Sequence, residues 1–177
     1  MIKNKTKIKW LYIFLLMMVL AIAFDQVTKI LVLQNLRGKE AVSIIDGVLE
    51  LQFFSNTGIA WSMLEGQILF ILFTGIILLA AVLFCVIKLP NQKKFHIIYI
   101  LTGILSGGAI GNMIDRIRLG YVVDFIYFSI INFPIFNVAD MCIVISIIII
   151  GILFLFVYKE EDLSFLNFKQ TKFRQVK

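Results

Sequence analysis

The chain has 177 residues, 60% of them hydrophobic and only 16% charged, with a mean hydropathy of +0.97. An ordinary soluble domain carries roughly 25% charged residues, so the composition excludes a water-soluble globular fold and points to an all-α integral membrane protein. The net charge of +6 does not signal nucleic-acid binding, because the basic residues cluster at the ends of apolar runs.

A helix needs about 20 mostly apolar residues to cross the hydrocarbon. Four segments qualify: Ile8–Thr28, Gln67–Ile87, His96–Ile114 and Ile135–Tyr158. They predict one membrane domain over residues 1–177, with no disordered linker and no internal repeat. The first run follows "MIKNKTKIK" and contains "AIA" at Ala21–Ala23, a pattern shared with cleavable secretory leaders. An intact-mass measurement separates a leader from a retained span. Asp25 and Lys29 stand one turn apart on this helix and are placed to pair. The pair reads as structural first and as a substrate contact second.

Between the first two runs lies "RGKEAVSIIDGVLELQFFSNTGIAWSMLEG". Asp46-Gly47 between apolar runs signals a hairpin with a type I′ turn, which needs positive φ at both central residues. Leu49, Leu51 and Phe53 alternate with Glu50 and Gln52, as in a strand with one apolar face. A small outer β-element over about residues 40–64, lying on the bilayer surface, is expected; a plain surface loop is the alternative.

The third run reads "LTGILSGGAIGNMIDRI". Gly103, Gly107 and Gly111 recur every fourth residue, the spacing that lets membrane helices approach closely. Asn112, Asp115 and Arg116 continue from that face and serve either to brace the helix end or to touch a substrate. Cys85 and Cys142 fall near opposite faces of the membrane, so they cannot form a disulfide and are expected as small apolar packers. His96 is the single histidine. A zinc-protease helix needs two, and His96 lies at the other face from the acids. No metal or cofactor is expected.

The last stretch, "VVDFIYFSIINFPIFNVAD", is apolar except for Asp124 and Asp140 near its ends. Pro134 suits the first turn of the fourth helix, with Asn137 one turn before Asp140. The N-terminal dipole of that helix favours an ionised Asp140 over an ionised Asp124. Two carboxylates within hydrogen-bonding range share a proton. One then takes a proton from water while the other polarises a carbonyl. Alternatively Asp124 caps a loop and Asp140 a helix, or both belong to a proton pathway. Phe125, Tyr127, Phe128, Phe133 and Phe136 form either an apolar rim or ordinary interfacial aromatics.

Charge sets the orientation. Lys3, Lys5, Lys7 and Lys9 precede the first run; Lys88, Lys93 and Lys94 separate the second from the third. Lys159, Lys169, Lys172, Arg174 and Lys177 follow the fourth. Four crossings put all of these on one side and leave Lys29, Arg37, Lys39, Arg116 and Arg118 on the other. Positive residues collect on the cytoplasmic side, so both termini are expected there. The acids Asp25, Glu40, Asp46, Glu50, Glu65, Asp115, Asp124 and Asp140 are then outside. The tail "FLNFKQTKFRQVK" is expected to lie on the cytoplasmic membrane surface.

Five motifs occur in order: "FDQVTK" (Phe24–Lys29), "NTGIAW" (Asn56–Trp61), "GGAIGNMIDR" (Gly107–Arg116), "VVDF" (Val122–Phe125) and "FNVAD" (Phe136–Asp140). Together with four spans and internal termini they resemble the lipoprotein signal peptidase, or signal peptidase II, family of bacteria. The resemblance runs from the first span to the fourth. It implies a four-helix inner-membrane aspartyl endopeptidase with an extracytoplasmic β-cradle. Such an enzyme cuts the signal peptide from a prolipoprotein on the N-terminal side of the diacylglyceryl-modified cysteine. The resemblance implies catalytic roles for Asp124 and Asp140, and substrate contacts for Asn56, Asn112, Arg116 and Asn137. Supporting roles fall to Asp25, Lys29, Gly108, Asp115 and Ala139, which also requires the first span to be retained. Trp61 stands where phenylalanine is common in the family. Diacylated prolipoproteins and membrane lipid are the implied partners, and a monomer suffices.

Two other functional classes are compatible with a small membrane protein. A small proton-coupled carrier would use the same acids, but carriers often show inverted repeats and helices broken at the midplane, whereas Met141–Tyr158 is interrupted only by Gly151. An accessory protein with no reaction of its own leaves the Asp/Asn/Arg cluster unexplained.

Overall fold

A computed structural model of the chain describes residues 2–58, 64 and 66–166, omitting the side chains of 2–5, 164 and 166. Trp61 and the tail beyond residue 166 lie outside the described residues. The elements run α1 (Ile2–Asn35), β1 (Val42–Ile45), β2 (Leu49–Asn56), α2 (Ile68–Lys88), α3 (His96–Leu119), β3 (Val122–Tyr127) and α4 (Val138–Phe156). Short 3₁₀ turns occupy Lys93–Phe95, Ser129–Ile131 and Glu160–Leu166.

Among the described residues, Thr6–Asn35, Ile68–Lys88, Lys93–Leu119 and Val138–Phe156 are long and apolar enough to cross a membrane. The apolar window of the third is 56% buried, against 11–17% in the other three, which makes α3 the central helix. Glycine explains how α3 gains that position. Lipid tails are as apolar as the helices, so close backbone approach has to supply the packing energy. A Cβ at Gly103 would lie 2.5 Å from the Phe14 carbonyl oxygen, and one at Gly107 2.6 Å from the Ala21 Cβ. Gly111 faces the Asp25 carboxylate in the same way, so all three glycines serve contact with α1. Gly108, on another face, would place its Cβ 2.5 Å from the Ala139 carbonyl oxygen of α4.

The first span is longer than its apolar run suggested, and the extension has a purpose. Val32 and Leu36 lie past the predicted end at Thr28 and are buried with Val123 and Phe125 of β3, while Leu51 and Phe53 of β2 pack against this cluster. The apolar face expected on β2 thus rests on the end of α1. The sheet has the order β1-β2-β3, with both pairings antiparallel. Ile45 pairs with Leu49 across a three-residue connection in which Gly47 has φ +69°. Asp46 does not share that positive φ, so the turn is not type I′. A glycine in the left-handed position of a three-residue loop does the same work.

The third strand was not expected from sequence. β3 pairs with β2 and is closed on its other edge by Phe136, whose oxygen accepts from Phe125 N at 3.0 Å and Ile126 N at 2.8 Å. That pairing also corrects the start of the last helix. Phe136 is held by its bridge to Ile126 of β3, so α4 begins at Val138 and not at Ile135, and Pro134 lies outside it. Asn137 is its N-cap, in a reciprocal capping box with Asp140.

At the end of the bundle away from the sheet, Phe14, Val86, Leu89, Phe95, Ile98, Tyr99 and Tyr158 form a second core. His96 stacks on Trp10 with ring centroids 3.9 Å apart, and Tyr158 donates to the Lys94 oxygen at 2.8 Å. Both cysteines are free; Cys142 is partly buried, but Cys85 faces outward on α2 and is no packing residue.

Candidate active site

Asp25, Lys29 and Asp115, expected as supports, and Asn112, expected as a substrate contact, are drawn into one buried network where α1, α3 and α4 meet the sheet. The Lys29 ammonium lies 2.9 Å from Asp25 Oδ2 and 2.9 Å from Asp115 Oδ2, so the predicted pair is one half of a triad. Lys29 also donates to Asn112 Oδ1 at 2.8 Å. Asp25, Lys29 and Asp115 are all nearly inaccessible to solvent. Buried ions at this depth persist only when paired and hydrogen-bonded, and every one of these is.

Asp124 and Asp140 approach this network from different elements. Asp124 is carried by β3 and is 1% exposed. Its two oxygens accept from Asn137 Nδ2 at 2.6 Å and from Asn56 Nδ2 at 2.8 Å. Asp140 sits in the first turn of α4. Its oxygens accept from Asn112 Nδ2 at 2.8 Å and from the Asn137 backbone N at 3.1 Å. Asn137 therefore touches both acids, and its Nδ2 also reaches Asn112 Oδ1 at 3.1 Å.

Burial pushes Asp124 up to about 7, and the nearby Asp140 charge adds to the rise against the hydrogen bonds from Asn56 and Asn137. Asp140, at the N-terminus of α4, faces two N–H donors.

Asn56, Asn112, Arg116, Asp124 and Asp140 share the wall of one cavity of about 1270 Å³, bounded by the sheet, α2, α3 and α4. Its wall carries the polar residues Gln52, Tyr127 and Asn132 and the apolar residues Ile71, Gly75, Met113, Met141 and Val144. Arg116 donates to the Gly58 oxygen at 2.6 Å, while its Nε is buried with no hydrogen-bond partner among the described residues. Asn137 does not line the cavity; it is fully buried behind the acids. Of the expected aromatic rim, Tyr127, Phe133 and Phe136 line the cavity and Phe128 stacks on Phe136. Phe125 belongs to the core beneath the sheet.

Ala139 and Gly108 meet at the α3–α4 crossing, where only a missing side chain permits the contact. The Ala139 N donates to Asp25 Oδ1 at 3.0 Å. One polar residue of the network went unnoticed in the sequence. Gln26 Nε2 reaches Asp115 Oδ1 at 3.0 Å, and Asp25 Oδ2 and the Gly111 oxygen at 3.2 Å each. Its adjacency to Asp25 in "FDQVTK" was the available signal.

Two acids held by asparagines at a cavity wall, one of them raised to about 7 by burial, have the parts for general acid–base hydrolysis. Comparison with known proteins bears on that chemistry. The family model described as signal peptidase (SPase) II matches residues 17–156. The lipoprotein signal peptidase of Enterococcus faecalis is 39% identical over 148 residues, covering 84% of this chain and 88% of that protein. The lipoprotein signal peptidase of Caldanaerobacter subterraneus is 42% identical over 133 residues, covering 75% and 88% respectively. A bacterial membrane enzyme solved by the in meso method at 2.3 Å resolution superposes with a TM-score of 0.71 at 33% identity, covering 90% of this chain and 94% of that one.

Proposed function

This chain belongs to the signal peptidase II family, and we propose that Asp124 and Asp140 are the acid pair with which it works. It is a multi-pass membrane aspartic endopeptidase that removes signal peptides from prolipoproteins. The observation that supports the assignment of the pair is their joint attachment to Asn137 at the wall of a single cavity.

In the proposed reaction a water molecule lies between the two carboxyls. Ionised Asp140 takes a proton from it, and protonated Asp124 donates to the carbonyl oxygen of the scissile peptide. The tetrahedral intermediate then collapses as a proton passes to the leaving amine, with no covalent enzyme intermediate. Asn137 and Asn112 keep the acids in register, since their amides are spent on Asp124, Asp140 and each other. Asn56 fixes the second oxygen of Asp124. The free Nε of Arg116 supplies a donor for a backbone carbonyl of the bound peptide. Asp25, Lys29, Asp115, Gly108 and Ala139 act as scaffold behind this surface.

The finer substrate assignment is cleavage just before a diacylglyceryl-cysteine. The apolar wall of the cavity at Ile71, Met113 and Val144 suits acyl chains, while its polar wall at Gln52 and Asn132 suits a polypeptide leaving the bilayer. The sheet end is assigned to the extracytoplasmic side because Lys88, Lys93, Lys94 and Lys159 all lie by sequence at the opposite helix ends. One copy of residues 1–177 carries every group named, so a monomeric domain suffices.

The test is a cleavage assay with purified protein in detergent, comparing a diacylated precursor with the same precursor unlipidated. Only the diacylated form is expected to be shortened, at the bond before the modified cysteine, and a chelator leaves the rate unchanged. Equal cleavage of both forms would overturn the lipid requirement. Loss of activity on chelation would overturn a mechanism that runs on carboxyls alone.

A further inference from the structure

We propose that Gln26 is a positioning residue for the acid pair, setting with Lys29 the spacing between Asp25 and Asp115, each of which holds the residue preceding one reacting aspartate. The inference rests on Asp124 and Asp140 being the reacting acids. Asp25 Oδ1 accepts from the backbone N of Ala139, and Asp115 Oδ2 accepts from the backbone N of Val123 at 3.1 Å. The next residues are Asp140 and Asp124. Consecutive Cα atoms are fixed about 3.8 Å apart by the planar peptide, so movement of either supporting carboxylate passes directly to a reacting one.

Two groups tie the supporting carboxylates together. Lys29 has three N–H donors, and all three are used, on Asp25 Oδ2, Asp115 Oδ2 and Asn112 Oδ1. It has none left for Asp115 Oδ1. Gln26 Nε2 fills that place and shares its two hydrogens with Asp25 Oδ2 and the Gly111 oxygen. The amide has one sensible orientation: its oxygen accepts from Arg118 Nη1 at 3.3 Å, and a flip would aim that oxygen at three acceptors. Gly111 permits the geometry, because a side chain there would collide with Asp25. Without the Gln26 amide, Asp115 is free to rotate about its Lys29 contact and carry Val123 with it. Misplacement by about 1 Å costs on the order of 10²-fold in rate at such a site.

The charged groups around the pair and its supports are Asp25 and Lys29 on α1, Asp115, Arg116 and Arg118 on α3, Asp124 on β3 and Asp140 on α4. Two variants of the full chain, assayed on the diacylated precursor between pH 5 and 9, test the role. Gln26→Met keeps the length and removes the amide. Its kcat is expected to fall about tenfold or more with KM within about twofold, and the alkaline limb of the profile moves to lower pH, because acids set further apart couple less. Gln26→Glu donates one proton to Asp115 when protonated but adds a third negative charge when ionised. Its activity relative to wild type is therefore expected to recover as pH falls. A Gln26→Met enzyme with wild-type kcat and profile, or one that loses kcat with its pH limbs unmoved, overturns the proposal. If Gln26→Met does not fold, a Gln26→Glu ratio flat across pH overturns it instead. Wild-type cleavage and its loss in Asp124→Asn are scored separately, so failure of the peptidase assignment is distinguishable from failure of this one.

Discussion

Replacing Asp124 or Asp140 by asparagine lowers cleavage of the diacylated precursor by about 10³-fold or more while the protein stays folded. Each acid handles a proton in the proposed reaction, and a positioned acid or base contributes typically 10²–10⁴-fold. Asparagine keeps the shape but cannot exchange that proton. The structural cost is small by comparison. Both oxygens of each carboxylate face N–H donors, so the new amide sets one donor against another and forfeits a hydrogen bond, about 1 kcal/mol. Unfolding in detergent measures that cost, and a precursor-binding assay shows whether the cavity survives. A folded Asp140→Asn enzyme with a tenth or more of wild-type kcat would remove Asp140 from the chemistry.

The largest effect on stability is expected at Lys29. Lys29→Met leaves Asp25 and Asp115 buried side by side with no cation between them. Removing one partner of a buried ion pair costs roughly 3–5 kcal/mol, because the remaining charge keeps its desolvation penalty. Lys94→Met is the contrast. Its partner Asp162 is held at a solvent-accessible edge of the bundle, and such pairs contribute little. Denaturant titrations in one detergent, at pH 8, measure both. Equal stability of the two variants at pH 8 would contradict the buried triad.

What could be read in the sequence was what periodicity and steric necessity control. Runs of about twenty apolar residues announce spans whatever their neighbours, and glycines four apart announce close approach, as the contacts of Gly103, Gly107 and Gly111 with α1 show. The i,i+4 spacing likewise announced the contact of Asp25 with Lys29. The third strand was hidden because "VVDFIY" is apolar apart from Asp124 and shows no clean alternation, and a short apolar run does not distinguish strand from buried helix. Its pairing with Phe136 in turn delayed α4 to Val138, which no local signal around Pro134 could reveal. Membership of the cavity wall was equally non-local. Asn137 and Phe125 sit in motifs beside the acids but face away from the cavity, because α4 capping turns one inward and the sheet core takes the other. Gln26 was passed over because glutamine on an apolar helix carries no periodic mark. Its meaning comes only from Asp115, on a different helix.

A direct probe of the site is the carboxyl-stretch infrared titration of Asp124 in the membrane-embedded protein, with and without Asp140→Asn. The protonated band should persist toward neutrality, with a midpoint of about 7, and that midpoint should drop once the facing charge is gone. A midpoint near that of a free aspartate, or one indifferent to residue 140, would mean that the two groups do not hold a proton in common and do not work as a unit.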